Sequence, residues 1–198
     1  MTSRIRIACQ QLSLLLVAAV AAAFASGLAS GWFSYLGRSP DRQKYVQGTA
    51  AWWQQGALAL VACLIFGYAR WRRPREHGRP GRLWLLAPVG RPAASRIART
   101  ARSAARSEGG VGRTLLAAGL AALILYCFWR AGLQVLGGLD PNMTVSAWGG
   151  PTYLGAMACH YLDCFLLVAT AAWLLNLVLR PGQPDSPGTP GRHAMPEL

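Results

Sequence analysis

The chain has 198 residues, of which 53% are apolar and only 14% charged, and it carries a formal net charge of +13. Soluble proteins have nearer to about 25% charged residues, so a water-soluble globular domain fits this composition poorly. A positive excess of this size would ordinarily suggest nucleic acid as a partner. Here, however, twelve of the twenty basic residues lie between Arg70 and Arg113, between long uncharged runs, so anionic lipid headgroups are the nearer match and nucleic acid is set aside.

The first apolar run covers residues 12–36, behind Arg4 and Arg6 in a basic N-terminus of residues 1–11. Its Ala19, Ala23, Gly27 and Gly31 recur every fourth residue, which puts four small side chains on one helical face where another helix can approach closely. The same start also fits a secretory signal peptide, with Ala23-Phe24-Ala25 as an A-x-A-like cleavage site. Against cleavage, the run continues unbroken through Trp32, Phe33 and Leu36, well past the ~7–15 residues of an ordinary signal core.

A short polar connection, residues 37–45, leads to the second run at residues 46–69. That run opens on Trp52-Trp53 and ends at Tyr68 and Trp71 beside Arg70, Arg72 and Arg73, a pattern suited to the two membrane–water interfaces. The Arg-rich connection of residues 70–113 follows. Its first part is punctuated by Gly and Pro around Leu83-Trp84-Leu85-Leu86, which is too short to span but could rest at the interface. Over residues 93–107, Arg96, Arg99, Arg102 and Arg106 recur at three- to four-residue spacing and share one face of a candidate helix. The opposite face is mostly Ala with a single Ile97, so such a helix would hold a membrane by charge more than by insertion. The competing reading is a solvated, partly disordered loop.

The third run, residues 114–136, is interrupted by Arg130, and the fourth, residues 152–179, by His160 and Asp163. The connection between them, residues 137–151, contains Asp140 and no basic residue. Pro151 suits the first turn of the fourth helix, where its missing N–H costs nothing. Asn142-Met143-Thr144 matches a glycosylation sequon, which carries no meaning in a bacterial chain. The tail, residues 180–198, is rich in Pro and Gly and reads as disordered.

Long uncharged runs are candidate spans because a helix needs about 20 apolar residues to cross a ~30 Å hydrocarbon core. The fold class expected is an all-α membrane protein of four transmembrane helices in an antiparallel bundle. The positive-inside rule puts both termini and the Arg-rich connection in the cytoplasm, and the two short connections outside. Each short connection implies an antiparallel hairpin of its flanking helices. The basic residues are nineteen Arg and one Lys, and heavy Ala, Gly and Pro use accompanies them. Both suggest GC-rich coding and a bacterial inner (plasma) membrane.

Charged side chains within spans face the bundle interior or a wet cavity by default. Arg130, His160 and Asp163, with Gln54 and Gln55 at a similar estimated depth in the second run and Ser26 and Ser30 in the first, form a polar layer in the outer half. The inner halves are nearly pure Ala, Leu, Val and Ile. One reading is structural: an Arg130–Asp163 ion pair with His160 and a Gln around it, locking the third and fourth helices together. The other is functional: an outward-facing pocket that binds a ligand or relays protons through His160 or Asp163. Cys127, Cys159 and Cys164 beside His160 and Asp163 invite a metal reading. Side chains at 159 and 160 diverge by about 100°, though, and thiolates in lipid are expensive, so no metal or cofactor is expected. The five cysteines are read as small buried apolar residues.

No phosphate-binding, dinucleotide, zinc-protease or nucleophile-elbow motif is present, and an enzyme is not the expectation. The leading reading is a non-enzymatic assembly or interaction subunit. Its partners would be the bilayer, anionic headgroups at the cytoplasmic face and another membrane protein. The alternative is a small carrier or sensor whose polar pocket is formed by the second, third and fourth spans.

Overall fold

The computed structural model describes residues 13–72, 91–103 and 110–179, and every regular element among them is helical. The elements are α1 (Leu14–Leu36), α2 (Trp52–Arg72), α3 (Arg91–Ser103), α4 (Gly110–Gly137), the single turn α5 (Pro141–Thr144) and α6 (Tyr153–Val178). The basic N-terminus, the Leu83–Leu86 tetrapeptide, Arg106 and the tail lie outside the described residues.

Helices α1, α4 and α6 are long and apolar enough to cross a membrane. At 1.5 Å per residue they measure about 34, 42 and 39 Å, all above the ~30 Å hydrocarbon thickness. Their outward surfaces stay apolar, with Leu14, Leu15, Phe33, Leu115, Leu154 and Leu177 all exposed. A surface of that kind is tolerable against lipid and ruinous against water. This makes the chain a membrane protein.

The expected second span is not among those three helices. Helix α2 starts later than residue 46, because Gly48 turns the chain with φ 87° and Thr49 donates its N–H back to the Val46 carbonyl. Its unbroken apolar part, Ala57 to Phe66, covers only about 15 Å, with two Trp and two Gln on one side and Tyr68 and Arg70 on the other.

Helix α4 is central. Helix α1 packs along it more extensively than any other pair, α6 covers another side, and α2 touches α6 sparsely. The expected hairpin between the first two runs is therefore replaced by a parallel α1–α4 pair, and the reason is glycine. A Cβ at Gly27 would collide with the carbonyl oxygen of Trp129, one at Gly31 with that of Leu133, and one at Gly132 with that of Phe24. Backbones meet directly there, as small residues at every fourth position permit. Of the four-residue stripe, Gly27 and Gly31 are the buried members, while Ala19 and Ala23 remain half-buried. Trp129 adds a bond from its Nε1 to the Ser30 hydroxyl at 3.3 Å. Ser26 and Ser30 bond back to the carbonyls of Ala23 and Ser26, so they stand apart from the polar layer they were expected to join.

Helices α4 and α6 form the expected antiparallel pair. Toward α3 the interface is apolar: Ala117, Ile124, Ala171, Leu175 and Leu179 are buried together, and Ile97 of α3 packs against them. Toward the other end it turns polar. Tyr153 donates its hydroxyl to the Val135 carbonyl at 3.0 Å, and Tyr161 donates its own to the Ala131 carbonyl at 3.4 Å. Thr152, and not Pro151, starts α6: its hydroxyl accepts from the Gly155 N–H at 3.2 Å, which a proline cap could not do. Pro151 sits just before the cap.

The two short connections are tied together. Asn142 accepts from the Gln43 N–H at 2.9 Å and donates its amide to the Ser39 and Asp41 carbonyls. Asp140 caps α5 through the Asn142 N–H, and the Ala51 N–H donates to the Trp148 carbonyl at 2.6 Å. The sequon asparagine is thus a clasp.

Candidate functional site

At the polar end of the α4–α6 interface, beneath residues 143–148, lies a cavity of about 280 Å³. Helix α4 supplies Arg130 and Gln134, which are four residues apart and so stand one above the other on one face. Helix α6 supplies Cys159, His160 and Asp163, again at helical spacing. The roof comes from Met143, Thr144 and Trp148. Arg130 lies seven residues from the end of α4 and His160 seven from the start of α6, about 10 Å along each helix, and Asp163 is about 15 Å along.

Of the residues singled out in the sequence, Arg130, His160 and Asp163 come together on this wall. The two glutamines part company. Gln55 is buried, 3% exposed, and its Nε2 donates to both carboxylate oxygens of Asp163, at 3.1 and 3.3 Å, while Gln54 points away and is exposed. The Arg130–Asp163 ion pair is not formed: the partner of Asp163 is Gln55, and among the described residues Arg130 has no acceptor. Holding the carboxylate requires the NH2 end of the amide, which leaves the Gln55 Oε1 buried with no hydrogen-bond partner. An unsatisfied acceptor of this kind costs about 1–3 kcal/mol. His160 reaches the Cys164 sulfur at 3.6 Å.

Gln134, Thr144 and Trp148 also line the cavity, although none was singled out in the sequence. Gln134, 8% exposed, had a legible signal, one turn beyond Arg130 on the same face. Thr144 closes the single turn α5 and Trp148 lies in the irregular stretch after it, and neither had one. Among the described residues no group of three or more His, Cys, Asp or Glu could hold a metal ion.

The basic face of α3 divides. Arg96 reaches the far end of α6, where its guanidinium donates to the Asn176 side-chain oxygen and, at 2.8 Å each, to the Asn176 and Leu179 carbonyls. These are C-terminal carbonyls that the helix itself leaves without donors, and a cation there is also favoured by the helix dipole. Arg99 is half-buried, and Arg102 is exposed with its Nε on the Ala98 carbonyl of its own helix. Thr100 and Thr114 continue the seam between α3 and α4, the Thr114 hydroxyl donating to the Thr100 carbonyl at 3.3 Å.

No protein family, characterised protein or solved structure matches this chain. What the site does is read from its own geometry.

Proposed function

We propose that this is a four-span inner-membrane protein, with both termini cytoplasmic, that binds a small polar solute from the outer side and acts as a carrier or sensor. One observation carries the reading: Arg130 and Asp163 face a common cavity without pairing. Opposite charges in a low-dielectric site close on each other unless they are held apart for something else. A purely structural pair would have no use for the space between them. Thermal-shift screening of the purified protein in mild detergent against small polar solutes tests this. Stabilisation by at least one solute, lost in Arg130→Gln, is expected. A solute-silent protein that co-purifies with a stoichiometric membrane partner would instead mark the interaction role, which the thinly packed flank of α2 favours.

Helix α2 serves as the fourth span in this reading. Its 21 residues give about 31 Å, enough to cross, with Trp52-Trp53 at one interface and Trp71 at the other. Contact with α6 runs from the Gln55–Asp163 bond to the Phe66–Phe165 rings, whose centroids are 6.0 Å apart. Arg99 and Arg102 are the basic residues of α3 offered to anionic headgroups at the cytoplasmic face. Single cysteines at Ser39 and Ser146, in a background stripped of native cysteines, should react with an impermeant reagent added to intact cells, and one at Ser95 should not. Labelling of Ser95 from outside would invert the topology.

A further inference from the structure

We infer that the solute is a small zwitterion, of the size of an amino acid, with its carboxylate on Arg130 and its ammonium on Asp163. This rests on the solute-binding reading above and narrows it to one charge class. The cavity wall carries one fixed positive charge and one fixed negative charge, on different helices. Arg130 has five N–H donors in a planar fork shaped for a carboxylate, and among the described residues no acceptor takes them. Asp163 is drawn toward α2 by both bonds from Gln55, which keeps it from swinging across to the guanidinium. Its carboxylate still has lone pairs to offer, since each oxygen accepts only one bond from that amide.

Charge balance then selects the ligand. A monoanion would satisfy Arg130 but bring like charge up to Asp163, and a monocation would do the reverse. Either leaves one wall charge unmatched in a partly desolvated site, where the cost is far higher than in water. A molecule with both charges answers both. At about 280 Å³ the cavity falls at the small end of ligand sites, a size that suits a molecule as small as an amino acid. Trp148 at the roof presents a ring beside which an ammonium group is also stabilised. Gln134, with a donor and an acceptor on one amide, can serve either end.

The test uses the full-length protein in detergent and isothermal titration with glycine, β-alanine and γ-aminobutyrate as zwitterions of increasing charge separation. Propionate and propylamine are the singly charged controls. At least one zwitterion should bind ten or more times tighter than both controls, and Arg130→Gln and Asp163→Asn should each weaken it at least tenfold. The comparison of probes needs only the unmodified protein, so it stands even where a variant does not fold. Propionate or propylamine binding as tightly as every zwitterion would overturn the charge assignment while leaving a solute site in place. Silence towards these five probes, with another polar solute stabilising the protein in the thermal-shift screen, would also overturn it and leave the site standing. Silence in both experiments would overturn both readings.

Discussion

Replacing Gly27 with leucine should unseat α1 from α4 and cost a large part of the protein's stability. The added side chain starts from a Cβ that already collides with the Trp129 carbonyl, so neither rotamer change nor neighbour adjustment can make room. Overpacking against side chains costs about 1–3 kcal/mol, and a collision with backbone belongs at the top of that range or beyond it. Gly132→Leu should behave alike, because its Cβ meets the Phe24 carbonyl from the opposite side. Gly119→Leu, on the same α4 but with nothing within 4 Å, should stay within about 0.5 kcal/mol of the parent. Unfolding in mixed micelles reads all three. Equal effects at 119 and 132 would mean that α1 does not lie where the glycines put it.

The second large effect is expected at Arg96. Arg96→Ala should destabilise the protein by about 2 kcal/mol, since hydrogen bonds to charged groups are worth ~1.5–3 kcal/mol and partial exposure reduces the sum. It also uncovers carbonyls at the end of α6 that no other described side chain caps. Arg102→Ala, which gives up one bond within its own exposed helix, should change little. The contrast separates two uses of arginine on one helix. Headgroup attraction fades as salt rises, whereas a guanidinium seated on carbonyls keeps most of its effect at high ionic strength. An Arg96→Ala variant as stable as Arg102→Ala would return Arg96 to the lipid surface.

The helices nearest the surface of legibility are α1, α4 and α6. Their ends fall within four residues of the apolar runs because, in lipid, backbone satisfaction and hydrophobicity decide a span together. The apolar run at 46–69 misled at its start, where Gly48 and Thr49 form a turn that hydropathy does not register. Of the expected polar layer, Arg130, His160 and Asp163 line one cavity, while Gln54, Ser26 and Ser30 stand apart from it. Its pairings were not legible. Arg130 and Asp163 are the obvious couple by charge, yet the carboxylate takes its bonds from Gln55 on a helix that periodicity alone cannot orient. Choosing Gln55 over Gln54 needed a rotation of about 100° that no local signal supplies. Arg96 shows the same limit: a four-arginine stripe looks like a membrane contact until the end of another helix, some eighty residues on, is known to meet it.

The parallel contact between α1 and α4 also sets a schedule. Gly27 and Gly132 are separated by about 100 residues, so at a synthesis rate of roughly 5–20 residues per second the first helix waits some 5–20 s for its partner to be made. During that interval its glycine face has only lipid, or the insertion machinery, to lie against. Helix α2 arrives sooner but packs on α6, which comes last. Assembly therefore cannot proceed hairpin by hairpin as the chain emerges. It has to be completed after α4 and α6 have entered the bilayer, and any delay between them lengthens the life of an unpartnered α2.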